Sequence, residues 1–200
     1  MSRLTLLLFL AVVACSGGDR VPAPAHADQA PRRIVDSIFP IEEEIRRFQV
    51  GLQHVTAFSG GAASRDALVE RFLTALERAD TSAFAPLALS TAEFGFLYFP
   101  ESRFTGPPYK TKPGLVWFQI QNASSRGLGR ALERLGGRSL GDRSYQCDAP
   151  ADTVGKSKTW EGCVVTYRPP AEEGARTMRL FGGIIEREGI YKFIGYANDF

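Results

Sequence analysis

The sequence predicts an α+β fold, with N-terminal helices packed on a curved antiparallel sheet. Three observations carry that expectation. Apolar residues recur at helical spacing from Ile38 to Leu52, from Arg65 to Ala79 and from Leu115 to Leu135. After Gly136 and Gly137 the pattern changes to short β-branched and aromatic runs separated by Gly, Pro, Asp and Lys. Near the C-terminus, Glu188-Gly189 offers a two-residue turn between Arg187 and Ile190, which sets up a terminal hairpin.

The elements follow in order. Asp36 and Ser37 precede Ile38, and Ile41, Ile45, Phe48 and Leu52 then line one helical face, with Glu42 facing Arg46 and Glu43 facing Arg47 on the other. Gly60 and Gly61 end this pattern. Ser64 caps the next helix, Arg65 to Ala79, whose buried stripe is Leu68, Phe72, Leu76 and Ala79. Ser82 starts a short helical turn that Pro86 limits. Glu93 to Phe99 is aromatic-rich and stops at Pro100, which reads as a short strand. Gly106, Pro107, Pro108 and Pro113 make a loop. Leu115 to Leu135 is then one long helix or two shorter ones, weakened at Gly127 and Gly129. Four strands complete the chain as a meander: Arg138 to Cys147, Trp160 to Arg168, Arg176 to Arg187 and Ile190 to Ala197. The terminal hairpin pairs Ile184 with Phe193 on one face and Phe181 with Tyr196 on the other. Both sheet faces are therefore apolar: helices cover one, and curvature, a loop or a partner closes the other.

The N-terminus carries an address. Met1, Ser2 and Arg3 lead into an apolar run, Leu4 to Ala14, which at eleven residues is too short for a bilayer span of about 20 and reads as an export signal. Val12-Val13-Ala14-Cys15 resembles the lipobox of bacterial lipoproteins. That resemblance implies cleavage before Cys15, a diacylglyceryl group on its thiol, and a firm membrane anchor; Ser16 suits sorting to the outer membrane, facing the periplasm. The chain then divides into a signal peptide (1–14), a flexible Gly-, Pro- and Ala-containing tether (15–34) that includes His26, and one α+β domain (35–200). With Cys15 lipidated in an oxidising compartment, Cys147 and Cys163 remain to form a structural disulfide. Setting them opposite each other centres their hairpin on Gly155, a turn former. A reactive thiol pair would lack both a C-x-x-C spacing and a neighbouring His.

The order of elements from about Arg65 to Phe200 resembles the nuclear transport factor two-like, or SnoaL-like, superfamily. Helix, helix end at Ala79-Asp80 and terminal hairpin Met178 to Ala197 carry that likeness, which implies a cystatin-like cone with a pocket at its open end. No motif carries the superfamily's catalytic residues onto this chain.

Composition narrows function by exclusion. The 200 residues are 44% apolar and 23% charged, with 24 Lys and Arg against 22 Asp and Glu, so nothing directs the protein to nucleic acid. Two histidines and three cysteines, without ligand spacing, indicate no protein-encoded metal site. Gly127-Leu128-Gly129 lacks the third glycine of a dinucleotide loop, no G-x-S-x-G elbow is present, and no catalytic residue or cofactor is expected. The candidate pocket residues are Tyr98, Tyr109, Trp117 and His54, drawn from an aromatic group that also holds Phe94, Phe96, Phe99, Phe104 and Phe118. Asp80, Glu101, Asp142, Tyr145, Arg179 and Asp199 are candidate polar pocket residues. The expected role is a tethered binding or interaction domain. Its partners are the membrane through the lipid anchor, a small apolar ligand or an envelope protein, and a second copy through the sheet face. A cone-type small-molecule enzyme and a structural envelope component are the alternatives.

Overall fold

The computed structural model describes residues 39–149, 151–170 and 173–200. The export signal, Cys15, the tether and His26 lie outside the described residues. The fold is α+β: helices come first and antiparallel sheets follow.

Helix α1 spans Ile41–Gln49, shorter than the spacing predicts, because Pro40 precedes it and Gly51 follows at φ 80°. Ile41, Ile45 and Phe48 pack inward as expected. Its outer pairing differs: Glu43 accepts from both Arg46 (2.8 Å) and Arg47 (2.6 Å). Helix α2, Arg65–Arg78, starts where Ser64 Oγ accepts from the Ala67 N–H (3.1 Å), and its Leu68, Phe72 and Leu76 are fully buried. Two 3-10 turns follow, Thr81–Ala83 and Ala85–Leu87, the first capped by Asp80 rather than Ser82.

The expected strand from Glu93 to Phe99 is helical instead. Helix α3 begins at Thr91–Glu93 and continues as a π-helical turn, Phe94–Tyr98, then a 3-10 turn, Phe99–Glu101. Ser90 and Glu93 form a reciprocal capping box that fixes the helical start, and Phe94, Leu97 and Tyr98 fall inward at helical spacing. Local capping and packing override the β propensity of the aromatic residues. Helix α4 runs unbroken from Pro113 to Leu135. Gly127 is a contact point in it, not a weak one: a Cβ there would stand 1.9 Å from the Tyr196 carbonyl oxygen.

The strands form two sheets rather than one meander. Strands β1 (Asp142–Gln146), β4 (Val164–Arg168) and β5 (Arg176–Met178) make one, in the order β1-β4-β5; β2 (Asp152–Val154), β3 (Ser157–Trp160), β6 (Ile184–Arg187) and β7 (Ile190–Phe193) make the other, in the order β2-β3-β6-β7. The expected strands 160–168 and 176–187 are each divided between the sheets. One long hairpin links the sheets, since β1 pairs with β4 and, beyond a one-residue change of register, β2 pairs with β3. Cys147 and Cys163 sit at that hand-over at disulfide distance, Sγ to Sγ 2.01 Å. Gly155 turns the hairpin at φ 57°, as its midpoint position predicts. Glu188 (φ 53°) and Gly189 (φ 82°) turn the second hairpin, which sets Ile184 opposite Phe193.

Two cores flank the β6–β7 hairpin. The larger gathers Phe72 with Phe84, Phe181, Phe193 and Tyr196, ring centroids 5.4 to 5.7 Å from Phe72. Phe181 and Tyr196 thus share a core with Ile184 and Phe193 instead of facing away, because β6 and β7 stop short of Gly182, Gly183 and Gly195 and the chain turns there. The smaller core joins Ile185 to Phe94, Leu97, Phe99 and Val116 under α1 and α4. The second sheet face is therefore closed by the chain's own helices, and no partner is needed to cover it. One ion pair lies in the dry interior. Lys192 Nζ donates to Glu93 Oε2 (2.7 Å), with side-chain exposures of 2% and 1%.

Candidate functional site

The helical turns after Glu93 build one wall of a cleft of about 500 Å³. Tyr98, at the end of the π-helical turn, and Glu101, three residues on, both line it. The opposite wall is the β2–β3 hairpin with Asp152 and Thr159, followed by Glu161; Arg103 stands at the cleft as well. A volume of this size suits a small ligand.

Glu101 is held from behind. Arg187, at the end of β6, keeps its side chain 7% exposed and donates through Nη1 to Glu101 Oε2 (2.8 Å), to Ser157 Oγ (3.2 Å) and to the Leu97 carbonyl (3.2 Å). The Lys156 N–H donates to the same carboxylate (3.1 Å). Partial burial pushes the Glu101 carboxyl up, but Arg187 and the Lys156 N–H outweigh it and hold the group below its ordinary value. It is an ionised acceptor at neutral pH. Gly155 permits this closeness, since a Cβ there would meet the Glu101 carboxylate at 2.3 Å. Arg187 Nε is buried without a hydrogen-bond partner among the described residues.

Tyr98 is the complementary group. The residue is 9% exposed, its ring packs near Phe94 (centroids 5.9 Å), and its hydroxyl has no hydrogen-bond partner among the described residues. Burial, reinforced by the nearby Glu161 carboxylate and opposed by Arg103, raises its pKa, so it remains a protonated donor. A buried tyrosine with an open hydroxyl at a cleft wall is arranged to meet a ligand.

Tyr98 and Glu101 are the two sequence candidates that converge. The other pocket candidates do not join them. His54 is exposed with its ring edge on Phe96 (4.8 Å), Trp117 is half-buried against Phe94 (4.8 Å), and Tyr109 is 51% exposed beside Phe104. Phe94 and Phe99 are core. Among the polar candidates, Asp80 caps its 3-10 turn and lines a separate groove of about 400 Å³ with Arg71 and Arg78. Tyr145 donates to Asp66 (2.6 Å), and burial with that carboxylate pushes its pKa up to about 12. It lines a groove between α2 and β1 where Arg143 bridges Glu70 and Glu77. Asp142 lies at the edge of β1, and Arg179 pairs with Asp199.

Sequence reasoning missed Arg187, Asp152, Glu161 and Arg103. Arg187 had a signal: it falls two residues after Ile185 and so shares the apolar face of its strand. Among the described residues no group of three His, Cys, Asp or Glu could hold a metal ion, and no helix is long and apolar enough to cross a membrane. Comparison with protein-family models, with curated proteins and with solved structures returns no match for this chain.

Proposed function

We propose that the protein is a lipid-anchored component of a bacterial cell envelope, joined to the membrane through Cys15, whose folded body binds a polar ligand in the Tyr98–Glu101 cleft without transforming it. The observation that carries this reading is the division of labour between two side chains. Arg187 and the Lys156 N–H commit Glu101 as a fixed anion, while the Tyr98 hydroxyl is left open toward the cleft. A fixed acceptor beside an open donor recognises a ligand's polar groups. Proton transfer asks instead for a group whose pKa lies near the working pH, and Glu101 is displaced downward while Tyr98 is displaced upward. The lining favours a polar ligand over the small apolar one suggested by the aromatic-rich sequence.

Two measurements test the two halves. Intact-mass analysis of membrane-extracted protein should give a chain that begins at Cys15 and carries acyl mass; a soluble chain cleaved elsewhere overturns the anchor. Melting curves against a panel of monosaccharides, amino acids and diamines should show a stabilising ligand whose effect is lost in Tyr98→Phe. Turnover of any panel member, abolished by Glu101→Gln, would make the protein an enzyme.

A further inference from the structure

We propose that the surface where α1 ends and α4 begins rests on the lipid headgroups and upper acyl chains of the bilayer that holds the anchor; this rests on the lipid-anchor reading above. The large exposed apolar side chains among the described residues are Val50, Tyr109, Leu115 and Phe118, at 72%, 51%, 51% and 62% exposure. They are not scattered. Leu115 and Phe118 are three apart on the first turns of α4, and Tyr109 lies in the loop that leads into that helix. Val50 ends α1, whose Phe48 ring comes within 3.9 Å of the point where a Cβ would stand on Gly114. Grouped apolar exposure of this kind marks a surface that meets another phase or partner.

Two further features choose a lipid surface as the occupant. The described chain enters the body at this same place: Phe39 and Pro40 share a hollow with Lys110 and Lys112. About 23 residues separate Cys15 from Phe39, a flexible span of roughly 25–30 Å, so the anchor keeps this side of the body close to the bilayer. The patch then needs only weak affinity of its own, because its docking is intramolecular. The rim is also basic. Glu43 is engaged by Arg46 and Arg47 and Glu44 by Lys112 (3.5 Å), which leaves Lys110 and Arg103 to face anionic headgroups, against Glu42. Arg103 lies over the Phe104 and Tyr109 rings (5.6 and 5.9 Å). Apolar side chains framed by cations are the chemistry of an interfacial membrane contact.

Trp117 sits between Leu115 and Phe118, and Trp160→Phe removes the other tryptophan, so Trp117 emission reports on the patch. The full-length lipidated Trp160→Phe protein is reconstituted into vesicles of brominated phosphatidylcholine and phosphatidylglycerol. Bromine should quench Trp117, and adding Leu115→Gln with Phe118→Gln should cut the quenching about threefold while the protein still floats with the vesicles and melts at the same temperature. Lys110→Glu with Lys112→Glu should also reduce quenching, and added salt should mimic it in the parent. Floating protein without quenching, or quenching untouched by both variants, overturns the surface assignment. So do cross-linked dimers that disappear with Leu115→Gln and Phe118→Gln, which would assign the patch to a second copy. Protein that does not float refutes the anchor; salt-sensitive partition of that unlipidated chain onto the same vesicles, lost in either variant, would sustain the surface alone, and no partition overturns both.

Discussion

Replacing Lys192 by Met tests the interior electrostatics most sharply. In the native protein Glu93 accepts from Lys192 Nζ and from the N–H groups of Ser59 and Ser90 (both 2.7 Å), and Lys192 also donates to the Ser59 carbonyl (2.8 Å). Burial pushes the Glu93 carboxyl up, yet Lys192 and the two N–H groups together bring it below its ordinary value of 4.5. Methionine keeps most of the volume and removes the cation. What remains is a carboxylate in a dry site with two N–H donors, and breaking a buried pair from one side costs about 3–5 kcal/mol. The pH dependence gives the signature. A carboxyl with a lowered folded pKa contributes stability above its unfolded pKa and loses it as the pH falls through the folded value. Without Lys192 burial dominates and the folded pKa rises, so the group's contribution is present at low pH and lost as the pH rises through the folded value. Urea unfolding should therefore show a gap between native and variant protein that is wider at pH 7 than at pH 4, by about 1–2 kcal/mol. Adding Glu93→Gln should restore part of the loss at pH 7. A gap below about 1 kcal/mol at pH 7, or one that does not change with pH, would refute the reasoning.

Two glycines of α4 should respond in opposite directions. Gly127→Ala drives a methyl group to 1.9 Å from the Tyr196 carbonyl oxygen and should cost about 1–3 kcal/mol in chemical denaturation, whereas Gly129→Ala meets nothing within 4 Å and should stabilise by about 0.5–1 kcal/mol; equal effects would mean that α4 does not abut the chain at Tyr196. Non-reducing peptide mapping of exported protein should recover Cys147 and Cys163 as one linked pair, and reduction should lower stability by about 3 kcal/mol for the 15-residue loop they enclose. Free thiols at both positions would defeat the disulfide.

What the sequence disclosed depended on how local the deciding force was. The α2 helix was legible because its cap, stripe and terminus all lie within the same stretch of chain, and the terminal hairpin because Glu188-Gly189 dictates its own turn. The helical path through Phe94 to Tyr98 was hidden by composition. Its capping box, Ser90 with Glu93, was present in the sequence, but five apolar or aromatic residues before a proline speak more loudly for a strand. The division into two sheets could not be read either, since it depends on which of several short segments pair at a distance. Lys192 did leave a trace: alternation puts it on the same strand face as Ile190 and Ile194, an unusual place for a cation unless a carboxylate waits for it. The cleft was half legible. Tyr98 and Glu101 stood among the candidates, but the groups that define their chemistry, Arg187 and the Lys156 N–H, come from strands more than fifty residues away.

The β6–β7 hairpin, with Ile184 and Phe193 turned to one core and Ile185 to the other, works as a party wall between two rooms. Such a wall has no outer plaster: neither side can be left bare when its furnishings are removed, so damage to either room is felt in the shared masonry. The rooms are unequal, however. The smaller is roofed by α1, next to the doorway through which the chain enters at Phe39, and the larger is sealed by α2 on the far side of the wall. A tug transmitted along the tether would therefore lift the small roof first, leaving the larger room shut behind a partition that Lys192 and Glu93 bolt in place.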